Sequence, residues 1–260
     1  MRNILKTTAA LFVLLLAVVP AAPGQSRRAG GAKAKVNDTV DEVERLLERH
    51  VLAQGGVELL KVRTRITRGR VEMSESPIPG NFESYAKAPD MEMSIINAPL
   101  GQFIIANDGV SRWQQSPWGA ATRVGLGGGS GSILPQAGKG EGGFKWRSAF
   151  TASRLKGRAK VDGREMIVLA ATEKGGQPML MYFDAETYLL RKQEPDRAAG
   201  AKVDKEFKAI YIDSYGTVDG VKVPARFRLV AEEFTLTFRV TEVKHNVLID
   251  DSLFRNPGGR

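Results

Sequence analysis

The chain contains two histidines and no cysteine, so the two histidines are the main candidates for acid–base chemistry. His50 lies at the edge of a helical apolar stripe, and His245 stands beside Asn246 at the end of a strand. Neither has a serine or an acidic residue at a recognisable catalytic spacing. Without cysteine there are no disulfides, thiol catalysis, cysteine–zinc sites or iron–sulfur clusters. The residue types therefore favour structural histidines and no histidine-rich metal centre.

A glycine-rich motif has the spacing of a dinucleotide-binding loop. Gly138–Gly143 reads GKGEGG, but Pro135 and a glycine-rich coil precede it, whereas that loop must follow a strand in a βαβ unit. The pair Asp250-Asp251 follows a strand and predicts a turn more readily than half a metal site. We therefore expect a protein that is not an enzyme and holds no cofactor and no metal.

The first residues predict export. Arg2 and Lys6 precede an apolar run, Ala9–Val19, and small residues follow it. This is the pattern of a cleaved secretory signal peptide over residues 1–24, with cleavage after Ala21 or Gly24 both open. The run is too short for the roughly 20 residues of a membrane-spanning helix. We expect a periplasmic protein, with secretion as the alternative.

The charge is formally +9 at neutral pH. An exported basic protein meets anionic lipid headgroups before it meets nucleic acid. The basic residues do not alternate with aromatic ones as they do on nucleic-acid-binding surfaces, so no nucleic-acid partner is expected. Four arginines on one predicted strand come closest to a cluster, and a solvated strand face is the favoured interpretation. They are Arg63, Arg65, Arg68 and Arg70.

After a disordered lead-in over residues 25–35, the pattern predicts one long helix. Thr39 with Glu42 forms a capping box, apolar residues follow at helical spacing, and Gly55-Gly56 ends the pattern. A short helical turn is predicted at Val57–Lys61. The helix has one apolar face, which must be buried against a sheet.

From Arg63 onward the hydrophobic period changes to two, which indicates antiparallel strands with one covered face. Turn sequences such as Val161–Gly163 and Val218–Gly220 separate about ten or eleven strands. The glycine-rich segment 125–143 and a short lid helix at Phe144–Ser153 interrupt them. The predicted fold is mainly β: an unclosed antiparallel half-barrel with an N-terminal helix and a lid helix on its concave side, forming one domain over residues 36–257.

One helix or two cannot fill the concavity of so wide a sheet to normal packing density. Space lined by Met and Phe would be dry and suited to an acyl chain. The predicted lining of this apolar cavity is Met91, Met93, Ile95, Phe103, Ile105, Trp113, Met179, Met181, Phe183, Phe227, Leu229, Phe234, Leu236 and Phe238.

Four segments resemble outer-membrane lipoprotein-sorting protein homologues of the periplasmic lipoprotein-carrier (LolA-like) superfamily. They are His50–Gly56, Tyr182–Arg191, Val218–Pro224 and Thr241–Asp250, the last followed by Leu253-Phe254. The resemblance runs from about Val36 to Pro257. It implies an unclosed β-barrel with lid helices that holds acyl chains of a lipoprotein or lipid.

The resemblance also implies that an early-strand arginine latches the lid, and Arg63, Arg65, Arg68 and Arg70 all remain candidates. Two functions stay open at this point. The first is a carrier of acyl chains, with a membrane-associated protein as a delivery partner. The alternative is an envelope sensor or regulatory interaction module built on the same half-barrel.

Overall fold

The computed structural model describes residues 33–74, 76–98, 101–124, 150–173, 177–201 and 207–257. Its strands form one antiparallel sheet in the order β6-β5-β4-β3-β2-β1-β13-β12-β11-β10-β9-β8-β7. Every described neighbour pair is antiparallel, and β6 and β7 lie at the two ends of this order of described strands. The predicted unclosed half-barrel is therefore confirmed. The strands number thirteen in the described residues, more than the ten or eleven predicted.

The bounds of the elements follow the chain. The helices are α1 (Lys33–Gln54) and α2 (Val57–Lys61), with short 3-10 helices at Arg197–Ala199 and Asp251–Phe254. The strands are β1 (Thr64–Met73), β2 (Ser76–Lys87), β3 (Met91–Ala98), β4 (Gly101–Asp108), β5 (Arg112–Ser116), β6 (Gly119–Val124), β7 (Phe150–Val161), β8 (Arg164–Glu173), β9 (Pro178–Asp184), β10 (Leu190–Pro195), β11 (Phe207–Val218), β12 (Val221–Ala231) and β13 (Thr235–His245).

Helix α1 buries one face because its apolar residues recur every three or four positions. Val43, Leu46, Leu47 and Val51 are all buried, and the helix has its most extensive contacts with β7 and β12. The sheet face beneath α1 is called the inner face here, and the opposite face is called the outer face. The helix begins at Lys33, so Thr39 lies inside it and is not the predicted cap.

Two-residue turns close the hairpins as the sequence predicts. Asp219 and Gly220 both have positive φ, which is the backbone of a turn that matches the twist of the flanking strands. Gly220 also contacts the end of α1, since a Cβ on Gly55 would lie 2.7 Å from its carbonyl oxygen. The β11–β12 turn thus packs closely against the C-terminal end of α1.

The lid helix predicted at Phe144–Ser153 is wrong in its described part. Phe150 is the first residue of β7, which pairs with β8 along its length. Backbone pairing to β8 and packing of Phe150 against the inner core outweigh the short helical pattern. Residues 144–149, the glycine-rich segment 125–143, the GKGEGG motif and the signal segment 1–24 lie outside the described residues, as do residues 25–32 of the lead-in.

Within the described part of the chain, no helix combines the length and apolarity that crossing a bilayer requires.

Replacing Gly69 by alanine is expected to lower the free energy of unfolding by about 1–3 kcal/mol through overpacking. A Cβ there would lie 2.1 Å from the carbonyl oxygen of Arg239 and 2.5 Å from the Phe82 ring. Urea unfolding followed by circular dichroism measures the loss. The matched control is Gly216→Ala, where the new Cβ meets nothing closer than 3.8 Å. Equal stability of the two variants would contradict the prediction.

Candidate functional site

The inner face has an aromatic centre. The rings of Phe227 and Phe238 stack with centroids 4.6 Å apart, and Phe82 lies edge-on to Phe238 at 5.2 Å. These rings join the apolar residues of α1 in one buried cluster. Of the predicted cavity residues, this cluster includes Phe103, Met181, Phe183, Phe227, Phe234, Leu236 and Phe238, with Leu229 packed against it. The centre of the predicted cavity is therefore occupied by the chain's own side chains.

One part of the inner face is less completely covered. Ile96 and Ala98 of β3 are half-buried against the cluster. Ile105, two residues along β4 from Phe103 and therefore on the same face, is also half-buried. Trp118, in the β5–β6 turn, is 49% exposed and packs edge-on to Phe103, with ring centroids 5.5 Å apart. We call Ile96, Ala98, Phe103, Ile105 and Trp118 the β3–β4 surface. It is an apolar surface with an indole at its rim.

Four predicted cavity residues are not brought to the inner face. They are Met91, Met93, Ile95 and Trp113, which pack in a second cluster on the outer face. The reason is register: Ile96 pairs with Phe103 and Ile95 pairs with Ile104, and directly paired residues share a face. The outer cluster is covered by the C-terminal segment, where Trp113 Nε1 donates to the Phe254 carbonyl at 2.8 Å.

Met179 shares a face with Met181 and Phe183, because side chains two apart on a strand point the same way. It is half-buried and lines a pocket of about 250 Å³ beside the 3-10 helix Arg197–Ala199. This pocket lies towards the β7 edge of the sheet, so Met179 is separated from the β3–β4 surface.

The four candidate arginines are divided between the two faces. Arg68 lies on the outer face, where it pairs with Glu83 at 3.0 Å and Glu242 at 2.7 Å. Arg70 is exposed on the same face, and Arg63 is exposed before β1 begins. Arg65 is the one of the four that is buried on the inner face.

Arg65 belongs to a buried polar row at the α2 end of the inner face. It pairs across strands with His245 and with Ala86, which in turn pairs with Glu92, so all of these share that face. Burial lowers the pKa of the Arg65 guanidinium to about 10, opposed by the negative charge of Glu92. The guanidinium therefore remains a cation at neutral pH inside the fold.

His245 stands next in this row. Its side chain is 2% exposed, and its Nδ1 lies 3.1 Å from Asp219 Oδ2. Among the described residues, its Nε2 has no hydrogen-bond partner. Burial lowers the pKa of His245, and the positive charge of Arg65 lowers it further, against the opposing hydrogen bond to Asp219. The neutral imidazole is thus favoured.

His50 has a structural role. Its Nδ1 lies 2.8 Å from the Tyr188 carbonyl oxygen, and its ring packs edge-on to Phe183 with centroids 4.9 Å apart. Burial lowers its pKa to about 4, and the hydrogen bond to Tyr188 opposes that shift only in part.

Asp250 caps the C-terminal 3-10 helix through Ser252, as expected for a turn residue. In the described residues, no group of three or more His, Asp or Glu side chains is placed to hold a metal ion.

Sequence reasoning missed several of these residues. Ile96 and Ala98 were not predicted, because β3 and β4 carry adjacent apolar residues that fit either alternation frame. Glu92 and Asp219 carry no sequence signal, since their relation to Arg65 and His245 depends on cross-strand pairing.

No protein-family model matches the chain, and no curated protein matches its sequence. A DUF1329 family protein from Desulfovibrio piger is similar in structure, with a TM-score of 0.55 at 14% identity, over 84% of this chain and 97% of that protein. A LolA superfamily protein from Nitrosomonas europaea follows, with a TM-score of 0.52 at 13% identity, over 82% and 96%.

A putative outer membrane lipoprotein-sorting protein domain from Vibrio parahaemolyticus is similar to the same degree, with a TM-score of 0.52 at 12% identity, over 81% of this chain and 95% of that domain. These likenesses extend over most of both chains. The fold is therefore LolA-like, as the sequence resemblance predicts. At such low identity the likeness defines the fold and leaves the ligand open.

Proposed function

We propose that this protein binds acyl chains of a lipid or lipoprotein on its inner face and acts as a non-catalytic carrier in the periplasm. The β3–β4 surface is the observation that carries the proposal, because its apolar side chains other than Phe103 are only partly buried beside a fully buried core. An alkyl chain laid on this surface gains about 0.8 kcal/mol for each methylene removed from water. A long chain therefore needs no charged anchor.

The fold supports this proposal. A LolA-like half-barrel is also the fold of the lipoprotein-sorting protein domain from Vibrio parahaemolyticus. The predicted signal peptide supports a periplasmic location. Arg65 is the candidate for the arginine that contacts a lid, since it is the one of the four arginines buried on the inner face.

Tryptophan quenching by a brominated fatty acid tests the proposal with the chain's own residues. The variant Trp113→Phe/Trp146→Phe keeps Trp118, at the rim of the β3–β4 surface, as the single indole. We expect saturable quenching of Trp118, because bromine on a bound acyl chain would lie close to its ring.

The matched control is Trp118→Phe/Trp146→Phe, which keeps Trp113. Trp113 is buried on the outer face, so a chain on the inner face leaves its fluorescence unchanged. Equal quenching of both indoles, or none of either, would contradict acyl binding at this surface. Lipid extraction of protein purified from the envelope should in addition recover a bound acyl species.

Replacing Ile105 by glutamate is expected to weaken binding of the brominated fatty acid at least about tenfold. A carboxylate at this half-buried position, at one end of the β3–β4 surface, must lose hydration when the chain binds, and the fatty acid offers it no partner. The control Val110→Glu adds the same charge in the β4–β5 turn, where the side chain is 83% exposed. If both substitutions leave the affinity unchanged, acyl chains bind elsewhere.

A further inference from the structure

The outer face carries an unbroken row of polar side chains across seven strands. Cross-strand pairing joins Arg70 to Arg239 and Arg239 to Arg226, so three arginines stand side by side on β1, β13 and β12. Directly paired side chains have Cβ atoms about 4.5–5.5 Å apart. From Arg70 the row continues through amide side chains on β2, β3 and β4. On the other side, beyond Arg226, it ends at a serine on β11. In order across the sheet the row is Gln102, Asn97, Asn81, Arg70, Arg239, Arg226 and Ser214.

The row offers mainly hydrogen-bond donors and no acid. Asn97 Nδ2 donates to Asn81 Oδ1 at 2.8 Å, and Gln102 Nε2 donates to Asn97 Oδ1 at 2.9 Å. These bonds use the carbonyl oxygens of both asparagines as acceptors. The amide side chains therefore add donor groups to those of the three guanidinium groups.

The nearest acids stand beside the row and do not neutralise it. Glu72 lies 3.5 Å from Arg239, and Asp213 lies 3.5 Å from Arg226. Asp213 is shared with Arg228, which binds it through Nε and Nη2 at 2.9–3.0 Å. In the described residues Arg70 has no ion pair. Four arginines thus face two carboxylates, which leaves a net charge of +2 (4 − 2) on an exposed surface.

Three directly paired arginines do not help the sheet to fold. Like charges opposite one another on adjacent strands are destabilising. Arg70, Arg239 and Arg226 are all exposed, so burial of their stems does not explain the arrangement. An anion bound to this surface would reduce the repulsion between the three arginines.

The composition of the row favours a membrane surface over a protein partner. Protein interface centres combine arginine with aromatic residues and methionine. The exposed large apolar side chains among the described residues are Leu52, Val57, Val110, Trp118 and Leu248, and none of them belongs to the row. Guanidinium and amide donors match the phosphate oxygens of lipid headgroups.

We propose that the row Gln102–Asn97–Asn81–Arg70–Arg239–Arg226–Ser214 is a docking surface for the phosphate groups of an anionic phospholipid bilayer. It lies on the face opposite the β3–β4 surface, so a bilayer bound there leaves the inner face uncovered. The proposal concerns membrane contact and does not depend on which ligand the inner face holds.

Sedimentation with vesicles tests the proposal. We expect the purified protein to bind vesicles of equal parts phosphatidylglycerol and phosphatidylcholine, and to bind pure phosphatidylcholine weakly. The triple variant Arg70→Gln/Arg226→Gln/Arg239→Gln should bind the anionic vesicles about 100-fold more weakly, since each arginine near such a surface contributes about fivefold. Its resistance to urea should equal or exceed that of the parent, because the repulsion is gone.

The matched control removes the same charge from a different place. Arg154→Gln/Arg158→Gln/Lys160→Gln neutralises three exposed cations of the edge strand β7 and should change vesicle binding much less. An equal loss in both triple variants would mean that net charge alone drives binding, and would overturn the docking surface. The charge-conserving variant Arg70→Lys/Arg226→Lys/Arg239→Lys should retain most of the binding.

Competition identifies the source of the phosphate. Millimolar inorganic phosphate should displace the protein from vesicles no better than sodium chloride of equal ionic strength, because a bilayer presents many phosphates at once. Stronger displacement by phosphate would assign the row to the free ion and overturn the membrane proposal. So would the absence of any binding to anionic vesicles.

Discussion

Replacing Phe238 by alanine is expected to lower the free energy of unfolding by about 3–5 kcal/mol. Its ring is 1% exposed and lies between Phe227, on which it stacks, and Phe82, which meets it edge-on. The substitution removes the ring from the centre of the inner core and leaves a cavity that neighbouring strands cannot close. Urea unfolding followed by circular dichroism measures the loss.

Leu248→Ala is the control for this prediction, because that side chain is 99% exposed and its removal should cost almost nothing. A loss below about 1 kcal/mol at Phe238 would mean that the core relaxes around the missing ring.

The milder Phe238→Leu variant connects stability with the proposed function. It should be less stable than the parent and still bind the brominated fatty acid, whereas Ile105→Glu should remain folded and lose binding. If Phe238→Leu remains folded and loses acyl binding, the ligand binds in the aromatic centre and not on the β3–β4 surface.

Lowering the pH from about 7 to about 5 is expected to reduce the free energy of unfolding by about 2 kcal/mol through His50 alone. The pKa of His50 falls from 6.5 to about 4 in the folded protein because the ring is buried. The unfolded chain therefore takes up a proton at a higher pH than the folded one. The stabilisation is fully present above pH 6.5 and is lost progressively as the pH falls. At pH 4 the loss reaches about 3 kcal/mol.

His50→Gln isolates this effect. Glutamine keeps a donor that can reach the Tyr188 carbonyl oxygen and does not titrate, so the variant should lose less stability over the same pH interval. Some dependence remains, because the pKa of His245 is also lowered and acts with the same sign. Identical pH profiles for parent and variant in urea unfolding would show that His50 is not held neutral by burial.

Much of the fold could be predicted from local patterns. The sequences of β12 and β13 alternate between apolar and polar residues, and the turns at Asp162-Gly163 and Asp219-Gly220 have the positive φ values that their residues favour. Helix α1 ends at the glycine pair where the sequence places its end. The predicted helix at Phe150 was wrong because a short aromatic-containing segment fits a helix and an edge strand equally well.

The candidate site was predicted less completely, for a reason visible in β3 and β4. Ile95 and Ile96, like Ile104 and Ile105, are neighbours, so both faces of these strands are apolar and either alternation frame is plausible. The pairing of Ile96 with Phe103 selects the frame and moves Met91, Met93 and Ile95 to the outer face. A shift of one residue in pairing reverses the face of every side chain.

By itself the sequence determined a long amphipathic helix, an antiparallel sheet with one apolar side, and the turns between the strands, because each of these depends on residues close together in the chain. Tertiary structure alone decided which residues meet. Arg65 joins His245, and Arg70 joins Arg239 and Arg226, across more than 150 residues of sequence. Such neighbours are set by strand register, and register depends on the packing of the whole sheet.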